Sequence, residues 1–298
     1  MDYLVPTVTV NATAVSSATL QSGTGSHSLS VGANTIDVVV RAEDGTLQTY
    51  SIAITRQAAV QRTFRAQRAT DSTWYDVPAT LLGAGDHALV FVEDTQSVSM
   101  SVAGQIADEF DANIYDLVRD NFATEPDVDG NGKVILLLLD IVDGFSGDGG
   151  YVAGYFDPTH LYSTSTYANS NEADMLFLDT NPATPNVSSF YSTTAHEMQH
   201  LVNFCSTVIE RGFQQDLWIN EGLSSGAEYL YGGGHVAQRI EFYNADPDQT
   251  ILHGNNFYVW NGWWEQNSDY GMLANYSTVY LFFQWLRIHA SNDTVVYK

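Results

Sequence analysis

The chain has 298 residues, 44% hydrophobic and 12% aromatic, enough apolar mass for one large domain or two unequal ones. Its formal net charge is −24, from 35 acidic and 11 basic residues, and its lysines are Lys133 and Lys298. A field of that sign repels nucleic acid and anionic membrane surfaces, which argues against both as partners, and no stretch approaches the ~18 apolar residues of a membrane span.

Residues 1–57 read as an all-β module. Ile36, Val38 and Val40 alternate with Asp37 and Val39, Asp44-Gly45 marks a turn, and Tyr50, Ile52 and Ile54 alternate again beyond it. Residues 59–69 carry Arg62, Arg65 and Arg68 and read equally as an interdomain bridge or as the first strand of a second domain over 58–298. Strand-like runs then end at Val90 to Val92. Ile106, Phe110, Ile114 and Val118 recur every four residues and predict an amphipathic helix over about 98–122. Val134 to Leu139 is a buried strand, Gly149 to Asp157 and Ala173 to Asp179 are two more, and helices follow near 190–206, 217–231 and 274–290. Cys205 is the single cysteine, so no internal disulfide forms, and its place at the end of the first of these helical segments suggests burial. Met1 to Pro6 has neither the basic nor the apolar region of a signal peptide, and the chain stops just after a helix-like segment. It therefore reads as part of a longer precursor, trimmed at one or both ends.

The sharpest signal is His196-Glu197-Met198-Gln199-His200. Positions i and i+4 share a helix face, so both imidazoles can point at one ion, and neutral imidazole suits zinc at about 2.1 Å. Glu197 is turned away from direct ligation and can take a proton from a metal-activated water. A catalytic zinc needs a third protein ligand, and Trp218-Ile219-Asn220-Glu221-Gly222-Leu223 offers Glu221, far enough downstream for a second helix to pack beside the first. Extension to H-E-x-x-H-x-x-G-x-x-H is excluded, since the required glycine and third histidine are Asn203 and Ser206. His235 and His253 are lone histidines and weaker rivals.

H-E-M-Q-H followed by W-I-N-E-G-L-S-S-G-A-E resembles the gluzincins, the thermolysin-like clan of zinc metallopeptidases. The run H-E-M-Q-H-L-V-N-F, with YVAGYFDP and ADMLFLD upstream, is most similar to the hyicolysin family, over about residues 60–298. The strands at 20–57 resemble the end of a cadherin-like β-sandwich. The resemblance implies a multidomain chain: a small all-β sandwich over 1–57, then an α+β zincin catalytic domain over 58–298 with a helical C-terminal part. It implies peptide-bond hydrolysis with zinc on His196, His200 and Glu221, and places Glu228 and Asn220 behind those ligands. Asn275-Tyr276-Ser277 opens a segment similar to the helix carrying the catalytic tyrosine of aminopeptidases in this clan, which implies Tyr276 as oxyanion donor, with Tyr270 as second choice. The aminopeptidase Gly-x-Met-Glu-Asn motif is absent, so an endopeptidase acting on protein or peptide is expected, with the Gly149–Asp157 strand pairing with substrate. Export to the medium or the cell surface fits the same reading.

Two further patterns stand outside that site. Asp127, Asp129 and Asn131, with Gly132, resemble the start of a calcium loop, but the twelfth position is Leu138, so a tight turn before a strand is the simpler reading. The aromatic stretch Phe257 to Trp264 offers a candidate pocket lining or ordinary packing. The competing functional reading is a non-catalytic, zinc-containing adhesive protein of the cell surface. Against it, structural zinc sites are usually closed and cysteine-rich and have no use for a base such as Glu197.

Overall fold

The computed structural model describes every residue except Ser16, 255–256, 258–268, 291–295 and Lys298, and describes 249, 252–254 and 269–272 by backbone alone. Two compact units result, Met1–Gln61 and Arg62–Lys298.

The first unit is all β. Strands β1 (Thr7–Val10), β2 (Thr19–Ser22), β3 (Gly25–Ser28), β4 (Gly32–Arg41) and β5 (Leu47–Arg56) form two sheets, β1-β3 and β2-β4-β5. The expected alternation becomes a ten-pair antiparallel ladder between β4 and β5, closed at Asp44-Gly45, where Gly45 takes φ +87° and Thr46 N–H donates to Asp44 Oδ1. Its core is small: Val10, Ile36 and Val38 are buried, with Val8, Leu20 and Ile54 against them.

The second unit is built on one six-stranded sheet. Its strands are β6 (Gln61–Gln67), β7 (Trp74–Ala84), β8 (Ala88–Glu93), β9 (Val134–Leu139), β10 (Gly154–Tyr155) and β11 (Met175–Asp179), in the order β10-β11-β9-β8-β7-β6. The arginine-bearing segment at 59–69 is thus a strand of this sheet, β6, and not a free bridge. β8, β9 and β11 run parallel, while β7 is antiparallel to β8 and β10 to β11. The unbroken apolar run of β9 follows from burial on both faces. Val134, Leu136 and Leu138 join one core with the helices, and Ile135, Leu137 and Leu139 join a second core with Phe64, Val77 and Phe177.

The helix expected at 98–122 forms as α1 (Met100–Glu109), a π-helical turn (Phe110–Ile114) and α2 (Tyr115–Asn121). A strict four-residue repeat drifts by about 40° per step on an α-helix. The wider π turn absorbs that drift, and Ile106, Phe110, Ile114 and Val118 are all fully buried. The helices that follow are α3 (Ser188–Phe204), α4 (Leu217–Gly232), α5 (Ala237–Ala245), α6 (Pro247–Gly254) and α7 (Asp269–His289), which make the C-terminal part helical.

Three expectations need correction. The strand at Gly149–Asp157 shrinks to Gly154–Tyr155, because Gly149 takes φ +97° on one side and Asp157 caps the 3-10 turn Pro158–Leu161 on the other. Neither α5 nor α6 was expected from sequence. The last helix is described from Asp269 onward, so Tyr276 lies inside it and not at its start.

Candidate metal centre

α3 and α4 pack side by side and bring three donors together. The i,i+4 spacing puts His196 and His200 on one face of α3, with ring centroids 4.8 Å apart. Glu221, in the second turn of α4, faces them: its Oε2 lies 3.3 Å from His196 Nε2 and 3.7 Å from His200 Nε2. One donor atom from each of the three residues falls within 4.8 Å of the others. Glu221 Oε2 is buried and has no hydrogen-bond partner among the described residues.

Both imidazoles are held from behind. His196 Nδ1 lies 2.7 Å from Glu228 Oε1, and His200 Nδ1 lies 3.1 Å from Asn220 Oδ1. Acceptors at both Nδ1 positions fix the protons there and leave the Nε2 lone pairs directed at Glu221. Glu221 Oε2 meeting both Nε2 atoms at 3.3–3.7 Å leaves these three donors to be joined by a proton or by a metal cation. Two neutral imidazoles and a carboxylate are a donor set that suits zinc, so the residues fit that metal. The electrostatics agree. Burial disfavours a charged His196, yet the facing Glu221 and Glu228 outweigh it and hold its pKa up at about 10. Burial also works against ionised Glu221 and Glu228, but the histidines hold both carboxyls below their ordinary range. The pocket is one that favours positive charge at its centre.

Glu197 is buried beside the pair, and that burial raises its carboxyl pKa. The edge strand β10 comes close to it. A Cβ on Gly154 would stand 3.2 Å from Glu197 Cγ and 2.9 Å from Thr193 Cγ2, so glycine is what lets β10 come this close to α3. Tyr276 hydrogen-bonds the Glu221 side chain, and its ring lies 6.4 Å from that of His196. Burial, reinforced by the Glu221 charge, pushes its phenol well above 10, so it stays a proton donor. The α7 helix reaches this position because Gly222 has no side chain: a Cβ there would stand 2.2 Å from Phe283 Cε2.

The sequence reading missed two supporting residues. Asn203, noted there only as the residue breaking a longer motif, donates from Nδ2 to Asn220 Oδ1 at 2.7 Å and so orients the amide that faces His200. Arg239 lies 3.6 Å from Glu228 Oε1 and stacks over the Tyr276 ring at 4.5 Å, joining the His196 brace to the phenol. Asn203 was legible as a residue one turn past His200, whereas nothing local marks Arg239. His235 lies away from the donors, its Nδ1 3.0 Å from Tyr280 Oη. The Cys205 thiol is buried, and burial raises it to about 11. The side chains of His253 and Tyr270, and residues 258–264 of the aromatic stretch, lie outside the described residues.

Residues 4–57 match the family of cadherin-like beta sandwich domains. Among curated proteins, neutral metalloprotease ShpI of Staphylococcus hyicus is 33% identical over 222 residues, which cover 72% of this chain and 48% of that protein. The chain spans about half the length of the curated relative it matches. This similarity supports a metallopeptidase of that family, and the His196–His200–Glu221 cluster is compatible with its metal. No helix among the described residues is long and apolar enough to cross a membrane.

Proposed function

We propose that the chain is a zinc-dependent endopeptidase of the gluzincin type, with a zincin catalytic domain in the second unit and an exported, extracellular site of action. The observation that carries this reading is the buried Glu221 Oε2, without a hydrogen-bond partner among the described residues, facing two imidazoles whose outer nitrogens are already bonded. Held by His196, His200 and Glu221, zinc supplies Lewis acidity toward a water molecule and the scissile carbonyl.

The remaining chemistry belongs to side chains. Glu197 takes the proton of the attacking water on a carboxylate oxygen and returns it to the leaving amine nitrogen. Its raised pKa favours both halves of that exchange. Tyr276 Oη exchanges its bond to Glu221 for one to the carbonyl oxygen as negative charge develops there. Glu228, Asn220 and Asn203 keep the two imidazoles in a single tautomer and orientation. β10 is at the edge of its sheet and next to Glu197, so an extended substrate backbone adds there as a further strand. Residues Met1–Gln61 supply none of these groups, and we assign them no part in bond cleavage.

The test is zinc content measured together with hydrolysis of an unstructured protein such as casein. About one zinc per chain, with cleavage abolished by chelator and restored by zinc, is the expected result. Full zinc occupancy without cleavage of any unstructured substrate overturns the enzymatic reading in favour of the adhesive one.

A further inference from the structure

The turn leading into β9 runs Asp127-Val128-Asp129-Gly130-Asn131-Gly132. Asp127 Oδ1 accepts Gly132 N–H at 2.9 Å, Asp129 Oδ2 accepts Asn131 Nδ2 at 2.7 Å, and Asn131 Oδ1 accepts Lys133 N–H at 2.7 Å. These bonds describe a tight turn and require no ligand.

What such a turn does not require is Asp174. It precedes β11, far from the turn in sequence, and is only 1% exposed. Its Oδ2 accepts the N–H of Val128 at 2.7 Å, which aims the carboxylate between the two turn aspartates. Its Oδ1 is buried with no hydrogen-bond partner among the described residues. One oxygen each from Asp127, Asp129 and Asp174 lies within 4.8 Å of the others. Burying an unpartnered carboxylate oxygen against two more carboxylates is costly unless something cationic joins them. Burial, added to by Asp129 and Asp127, raises the Asp174 carboxyl to about 6, which expresses the same conflict. Arg62 relieves part of it at Asp129, while its guanidinium donates to the Asn171 carbonyl.

We propose that Asp127, Asp129 and Asp174 together hold a calcium ion, independent of the zinc centre. All-oxygen donors exclude a preference for zinc, and their irregular placement, two on a turn and one on a buried strand end, suits calcium better than the strict octahedron of magnesium. The ion would tie the entrance of β9 to that of β11, its parallel neighbour in the sheet, where Ile135 N–H already donates to Asp174 O at 2.8 Å. Asn131, the third ligand expected from the turn alone, is replaced by Asp174, because its side chain is spent on Asp129 and Lys133.

The experiment is calorimetric titration of the zinc-loaded full chain with calcium chloride, alongside thermal melting. A single site of about 10⁻⁴ M or tighter is expected, with a melting temperature raised by several degrees in millimolar calcium. Asp174→Asn and the exposed Asp129→Asn should each weaken calcium binding at least tenfold and remove the melting shift, with zinc content unchanged. Asn131→Ala should leave binding within about twofold. Absence of heat and of any melting shift at millimolar calcium overturns the proposal. So does a calcium response that survives both aspartate variants, or an equal response to magnesium. If Asp174→Asn fails to fold, Asp129→Asn carries the decision alone, because its side chain lies on the exposed turn.

Discussion

Replacing Gly222 by alanine separates metal binding from catalysis. The new Cβ would stand 2.2, 2.3 and 2.9 Å from three carbons of the Phe283 ring. Ordinary carbon contacts are about 3.5–4.0 Å, so Phe283 and the helix bearing it must retreat by roughly 1 Å or more. Phe283 is buried in the cluster with Leu223, Val279 and Tyr297, so its ring has little room to turn aside and the displacement passes to α7. Tyr276 lies two turns earlier on the same helix and moves with it. A misplacement of that size at a transition-state contact costs ~10²-fold in kcat, about 3 kcal/mol. Overpacking costs ~1–3 kcal/mol of stability, partly offset by ~1 kcal/mol from alanine's better helix propensity. Zinc content should not change, because all three proposed ligands lie on α3 and α4. The assay is kcat on a fluorogenic peptide, with zinc analysis and melting on the same preparation. Pairing Gly222→Ala with Phe283→Leu should recover most of the activity. Wild-type kcat in the single variant, or loss of zinc together with activity, refutes the argument that Gly222 sets the approach of α7.

Three other substitutions address individual roles. Glu197→Gln should lower turnover by ~10²–10⁴-fold while leaving zinc bound, since an amide cannot take the water's proton, and metal analysis of the inactive variant checks it. Tyr276→Phe should lower kcat by ~10²-fold with KM little changed, and steady-state kinetics showing the loss in KM instead would assign the phenol to substrate binding. Glu228→Gln removes the charge that His196 Nδ1 meets at 2.7 Å and should weaken zinc by about 10–100-fold in chelator competition. Unaltered zinc affinity there would make Glu228 an ordinary buried residue of α4.

The parts of the molecule legible in the sequence are those in which local spacing decides the outcome. The His196–His200 pair needs only the helical period, and the β4–β5 ladder needs only alternation around Asp44-Gly45. β9 was legible because burial on both faces leaves no polar position to interrupt Val134–Leu139. Length was less legible for β10, since the chain on either side of it turns at Gly149 and at Asp157, whose conformations depend on the turns around them. α5 escaped notice because it buries no residue and has little apolar periodicity. Arg239 and Asp174 act through contacts far away in sequence, and no window around either residue contains its partners. The Asp127 loop shows the same limit: the turn was visible, but the buried carboxylate that completes the cluster was not.

The two-sided burial of β9 also bears on how the chain must be handled before it is folded. Val134–Leu139 is six consecutive apolar, β-prone residues with no proline or charge, the composition that self-associates into intermolecular sheets when exposed. In the native state every one of the six is at most 1% exposed. In a partly folded chain nothing covers them except the flanking charges Lys133 and Asp140, which act as gatekeepers against stacking. Lys133 reaches across to the Gly85 and Asp86 carbonyls once folded, so the native sheet withdraws this guard from solution when it is no longer needed. Exchanging Lys133 for an uncharged residue should therefore show first as insoluble protein during expression or refolding, before any change in the activity of the molecules that reach the native state.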